Sequence, residues 1–174
     1  MFKDREARLA LILADLQSVD EPISGQELAL RHNITRQVVV HDVALLRAAG
    51  HPILSTPRGY LMERDVSART RDYILSVAHP PHLTGAELYT LVDHGLQIKN
   101  VVIEHPLYGE LIGSLRLASR MDVEYFLKQV ARQKASLLSS LTDGHHMHTV
   151  ETEYPDRLQE AIESLRKQGI AVDD

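Results

Sequence analysis

The chain has 174 residues, 44% apolar and 25% charged, with a formal net charge of −5, ten histidines and no cysteine. That composition builds one or two globular units and excludes disulfides, thiolate nucleophiles and cysteine-based zinc or iron–sulfur sites. No apolar run approaches a membrane span, and MFKDREARLALIL puts charges where a signal peptide needs an apolar block, so a cytoplasmic location is expected.

Leu9, Ile12, Leu13 and Leu16 recur at helical spacing, which predicts an amphipathic helix over 4–18. Pro22-Ile23 breaks it. Ser24-Gly25-Gln26-Glu27 has the form of a capping box and opens a short helix carrying Leu28, Ala29 and Leu30. Asn33 tolerates the left-handed backbone of a sharp turn, and Thr35 is a good N-cap for a third helix that Gly50 ends. Val39, Val43 and Leu46 form that helix's core stripe, while Gln37 and His41 project opposite, with Val38 and Ala44 beside them. Such a face can read base edges, and Arg36 in the first turn can hold phosphate. Pro52-Ile53-Leu54-Ser55 and Tyr60-Leu61-Met62 flank the turn Thr56-Pro57-Arg58-Gly59, which makes a hairpin with Arg58 at its tip. Helix, tight turn, helix and hairpin together describe a winged helix-turn-helix, expected to contact DNA through Thr35, Arg36, Gln37, Val38, His41 and Arg58. A protein-binding module is the alternative use of these elements.

Glu63-Arg64-Asp65-Val66-Ser67 is polar and marks a boundary, dividing a DNA-binding domain over 1–64 from a second domain over 65–174. The first part balances eight basic against eight acidic residues; the second sets eleven against sixteen and holds seven of the histidines. Its acidity can sit away from DNA.

The second part alternates element types. Tyr73–Ala78 reads as a strand, and Thr84-Gly85-Ala86-Glu87 as a second capping box opening a helix to Gly95. Ile98–Glu104 is a strand and 107–117 its hairpin partner. Asp122–Gln133 is a helix, 145–153 a strand, and Pro155, with Asp156 as cap, opens a last helix. The order β-α-β-β-α-β-α makes the fold class α+β, with an antiparallel, ferredoxin-like sheet carrying helices on one face.

His146-Met147-His148 places two imidazoles on one face of a strand. In a split βαβ layout the first and fourth strands are neighbours, which brings His79 toward them, with Glu87 reaching over from the helix. His79, Glu87, His146 and His148 make a site for a divalent transition metal such as zinc, nickel or iron. His82 and His145 substitute if the register slips, and a surface-strand role for His-x-His is the alternative. His105 lines the same cleft or ends its strand.

ISGQELALRHNITRQVVVHDVALLRAAG and TPRGYL resemble winged helix-turn-helix regulators, and ELYTLVDHG, VVIEHPLYGEL and HHMHT resemble the three-histidine (3H) domain. Their joint order resembles the bacterial nicotinate-responsive repressors of NAD biosynthesis and niacin uptake. The resemblance implies a homodimeric repressor that binds a palindromic operator, with nicotinic acid as co-repressor and metal ligands matching His79, Glu87, His146 and His148. His105, Tyr108 and Met147 are the expected contacts to the effector. A metal-responsive repressor and a metal-dependent hydrolase remain the alternatives, although H-E-x-x-H, G-x-S-x-G and a phosphate loop are absent, which argues for a protein that is not an enzyme.

Overall fold

A computed structural model describes residues 2–64 and 70–173, and the chain divides into two compact units, 1–65 and 66–174. The boundary positions Asp65, Val66 and Ser67 lie outside the described residues.

The first unit comprises α1 (Phe2–Ser18), α2 (Gly25–Arg31), α3 (Arg36–Ala48) and an antiparallel hairpin of β1 (Ile53–Thr56) and β2 (Gly59–Met62). Ile12, Leu16, Ile23, Leu28, Val39, Val43, Leu46 and Ile53 are buried together, so the helical stripes read from spacing are the core. Asn33 takes a left-handed conformation, and the Thr35 hydroxyl accepts from the Val38 amide at 3.3 Å, which starts α3. The first capping box is half formed. Ser24 Oγ accepts from the Glu27 amide at 3.0 Å, but the Glu27 carboxylate pairs with Arg31 one turn on. The hairpin is pinned to the chain before α2: the amide and carbonyl of Ile23 exchange hydrogen bonds with those of Tyr60 at 2.9 and 2.8 Å. Gly59 permits this approach. Its φ is +137°, and a Cβ there would stand 2.2 Å from the Ile23 carbonyl oxygen.

In the second unit β3 (Arg71–Ala78) leads through a 3₁₀ turn (Pro81–Leu83) into α4 (Thr84–Asp93), then the hairpin β4 (Gln97–His105) and β5 (Gly109–Leu117). There follow α5 (Arg120–Gln133), a 3₁₀ segment (Leu138–Thr142), β6 (His145–Thr152), α6 (Pro155–Lys167) and β7 (Ala171–Asp173). The sheet is antiparallel, in order β5-β4-β6-β3-β7. The core joins sheet residues Leu75, Val77, Ile98, Leu115 and Val150 to Leu88, Leu91, Val123, Ala161 and Leu165 from the helices.

The class is α+β, as expected, and β3 and β6 are neighbours. Two details differ. Each crossover skips one strand, as in a split βαβ, but β4 and β6 occupy the middle, where a ferredoxin-like order would centre the first and third strands of the unit. Element order is the same for both arrangements; pairing alone separates them. Strand β7, too short to show a period, adds to the far side of β3 through Val77 and Val172.

Two predicted caps are not made. Leu83 occupies the N-cap of α4 and offers no side-chain bond, because Glu87 turns inward. Tyr154 occupies the N-cap of α6, with Pro155 in the first turn, so Asp156 lies within the helix.

Candidate functional site

His79 follows the end of β3, Glu87 lies one turn into α4, and His146 and His148 sit at alternate positions on β6. The pairing of β3 with β6 sets Val77 opposite His146 and Leu75 opposite His148, so the strands deliver all three imidazoles under α4. His79 Nε2 is 2.6 Å from Glu87 Oε2, His146 Nε2 is 3.3 Å from both carboxylate oxygens, and His148 Nε2 is 2.9 Å from Oε1. The four side chains are 1–3% exposed.

Each imidazole is fixed from behind. The Nδ1 atoms lie 2.9, 2.8 and 2.7 Å from the carbonyls of Pro80, Gly144 and Asn100 for His79, His146 and His148. A carbonyl only accepts, so Nδ1 is the protonated nitrogen and Nε2 faces the carboxylate. That arrangement, with the far nitrogen donating to backbone, orients imidazole as a metal ligand. His79, Glu87 and His146 place ligand atoms within 4.8 Å of one another and can hold a metal ion.

Charge shows how the site could take a cation. Neutral imidazoles in this tautomer aim lone pairs at an anion, which requires either protons on Nε2 or a positive ion. Burial opposes the charged form of Glu87, but the charge attraction of His148 and the close approach of the His146, His148 and His79 rings hold it well below the usual carboxylate range. Burial likewise opposes charge on His79 and His148; the charge and close approach of Glu87, with the backbone carbonyls, outweigh it and raise both. One carboxylate balances one imidazolium, so three buried rings cannot all be charged. His148 Nε2 is buried without an aligned hydrogen-bond partner among the described residues. An ion would satisfy that atom, and imidazole with carboxylate suits a divalent transition metal.

A partly open pocket lies against this cluster. Glu87, His146 and His148 form one part of its wall; Leu88, Val101, Leu115 and Phe126 form apolar sides, with Leu137, Leu138, Thr84 and Ser139. The expected effector contacts fall elsewhere. His105 and Tyr108 stack on each other, centroids 4.9 Å apart, at the β4–β5 hairpin turn, and Tyr108 is 74% exposed. Met147 points to the opposite sheet face from His146 and His148, because strand side chains alternate. None of the three lines the pocket. His82 and His145 are exposed, so the ligand register does not slip.

Sequence reading missed Gly144. Its φ is +89°, its carbonyl anchors His146, and a Cβ there would stand 2.2 Å from the His79 carbonyl oxygen. The Asp143-Gly144 turn pair before β6 was the available signal.

On α3, Arg36, Gln37, Val40, His41 and Ala44 are exposed, while Val38 is half-buried. Val40, 50% exposed and unremarked in the sequence reading, completes the outward row of Gln37, His41 and Ala44 at i, i+3, i+4 and i+7. Asp42, fully buried on the same helix, accepts from Arg8 Nε and Nη2 of α1 at 2.6 and 3.0 Å, which fixes how α3 presents that face. Arg58 sits in the hairpin turn, which Thr56 Oγ1 ties by accepting from the Arg58 amide at 3.1 Å and donating to the Gly59 carbonyl at 2.9 Å. Its guanidinium lies 3.5 Å from Glu21.

Residues 8–61 match a helix-turn-helix domain family and residues 72–174 match the 3H domain family. The chain is 37% identical to the transcription repressor NadR of Bacillus subtilis, covering 100% of this chain and 96% of that protein. It is 34% identical to the probable transcription repressor NiaR of Thermotoga maritima, covering 98% and 96%. The outward face of α3, the hairpin beside it and the histidine–carboxylate unit are therefore parts of one regulator: the chain belongs to the family of bacterial transcription repressors that join a DNA-binding helix-turn-helix domain to a 3H domain.

Proposed function

We propose that this repressor senses nicotinic acid as co-repressor and controls genes of NAD biosynthesis or niacin uptake. The observation that carries the reading is the pocket lying against the buried histidine–carboxylate cluster. Nicotinate is a small flat anion, and a unit rich in carboxylates repels it unless a local positive centre is present. His79, Glu87, His146 and His148 would hold a divalent transition metal (zinc, nickel or iron), which would supply that centre. Leu88, Val101, Leu115 and Phe126 offer apolar surface for the ring.

On DNA, Gln37 and His41 read base edges with Val38 beside them; Thr35, Arg36 and Arg58 hold phosphate or the minor groove. A homodimer built through the second unit presents two α3 helices to a palindromic operator. Support for that interface is the face of the sheet turned away from α4, α5 and α6, where Ile74 and Ile112 are 67% and 61% exposed. Nicotinate favours repression by binding the operator-competent dimer better than its alternative, and operator tightens nicotinate binding by the same factor.

The test is operator binding by full-length protein with and without nicotinate at fixed salt, since phosphate contacts make affinity salt-dependent. Tighter binding with nicotinate at constant metal supports the reading. A response to metal concentration alone replaces nicotinate with the ion as signal.

A further inference from the structure

The pocket has a second polar feature that the histidine cluster does not use. Thr84 opens α4 one turn before Glu87, is 9% exposed and lines the pocket. Its Oγ1 is buried with no hydrogen-bond partner among the described residues. A buried hydroxyl left unpaired is rare in folded proteins, and each instance calls for a partner. Capping does not provide one, because Leu83 occupies the N-cap and Thr84 already has helical angles, φ −56° and ψ −45°. Valine would fill the same volume with no group to satisfy, so packing alone does not explain a threonine here. The pocket therefore pairs a cation-binding wall of Glu87, His146 and His148 with a hydroxyl on the same helix, and apolar side chains complete the lining. A flat ring bearing two hydrogen-bond acceptors suits that lining: one acceptor meets the ion, the other takes the hydroxyl proton.

We infer that Thr84 is a ligand-positioning residue, whose hydroxyl donates to the polar atom of the pyridine carboxylate that the metal does not take. The inference rests on the nicotinate reading above. It adds that orientation in the pocket is set by α4 at two points one turn apart, Thr84 and Glu87.

The experiment is calorimetric titration of nicotinate into full-length, metal-loaded wild type, Thr84→Val and Thr84→Ser, with metal content and ligand-free melting temperature measured on each. Thr84→Val should bind about tenfold more weakly, the size of a hydrogen bond to a charged or strongly accepting group. Its metal content should match wild type, and its melting temperature should be equal or higher, because an unsatisfied buried hydroxyl has been removed. Thr84→Ser keeps the hydroxyl and should stay within about threefold of wild type. Wild-type affinity in Thr84→Val overturns the role of Thr84 and leaves the nicotinate reading standing. A drop in ligand-free melting temperature and metal content together with affinity assigns Thr84 a structural role and also overturns it. A wild-type protein that binds no nicotinate overturns the ligand reading itself.

Discussion

His148 Nε2 stands 2.9 Å from Glu87 Oε1 and is nevertheless without an aligned hydrogen bond among the described residues. Its ring is committed elsewhere, to the Asn100 carbonyl through Nδ1 at 2.7 Å. The ring plane is thus set by the backbone of β4, and the carboxylate must meet it where it stands. That leaves the Nε2 lone pair open to a third party.

The double variant His146→Ala, His148→Ala should lose bound metal and the nicotinate response together. Weak, sequence-independent DNA binding should persist, because α3 and the hairpin belong to the other unit. Metal analysis, nicotinate titration heats and operator binding on the same preparation check this. Nicotinate affinity like wild type in metal-free protein would separate the effector from the ion.

The ionic state of the cluster gives a pH dependence with a defined sign. Glu87 is depressed, so its contribution is present above the unfolded carboxylate range and is lost as pH falls through the folded value. His79 and His148 are raised, so theirs is full below the unfolded histidine value of about 6.5 and is lost as pH rises through the folded one. Metal-free protein should therefore be most stable in mildly acidic solution, between those limits. Metal requires deprotonated imidazoles, so its stabilising effect should grow with pH. Melting temperatures of metal-free and metal-loaded protein from about pH 5 to 8 should diverge upward; parallel curves would refute a histidine-ligated ion.

Gln37→Ala should cost about 1–3 kcal/mol in operator affinity and relax specificity at its base pair. Arg58→Ala should weaken binding to all sequences alike and lower the salt slope by about one. Gel-shift titrations on operator and scrambled DNA at several salt concentrations distinguish the two. A Gln37→Ala protein with unchanged affinity and preference would remove α3's outward row from the recognition surface.

Asp42→Ala should destabilise the first unit by about 1.5–3 kcal/mol, the range for hydrogen bonds to charged groups. The acceptor is fully buried and both Arg8 bonds are lost. Chemical denaturation checks the loss. Operator affinity should fall even where the fold persists, because the pair sets α3 against α1.

Local signals carried much of the first unit. The apolar stripes of α1 and α3, the Thr35 cap, the left-handed Asn33 and the hairpin turn are decided within a few residues of chain, so periodicity and turn chemistry reveal them. The residues of the buried cluster were legible for the same reason, since His-x-His puts two rings on one strand face and Glu87 sits at a helix start beyond His79. Pairing was not legible. The exchange of the central strands and the addition of β7 depend on contacts between segments far apart in sequence, and composition does not distinguish those arrangements. The capping box at Thr84 was a sound local expectation that tertiary structure overrode: three imidazoles arriving from β3 and β6 offer Glu87 a stronger partner than a helix amide, and Thr84 is left facing the pocket. The residues expected at the effector lie away from the pocket for a related reason. Tyr108 and Met147 are near the histidines in sequence or strand, but the alternation of β6 and the reach of the β4–β5 hairpin carry them away, while the wall is supplied by α4, α5, the segment before β6 and inward positions of β4, β5 and β6. Spacing thus determined which residues could serve as ligands; burial and strand register decided what surrounds them.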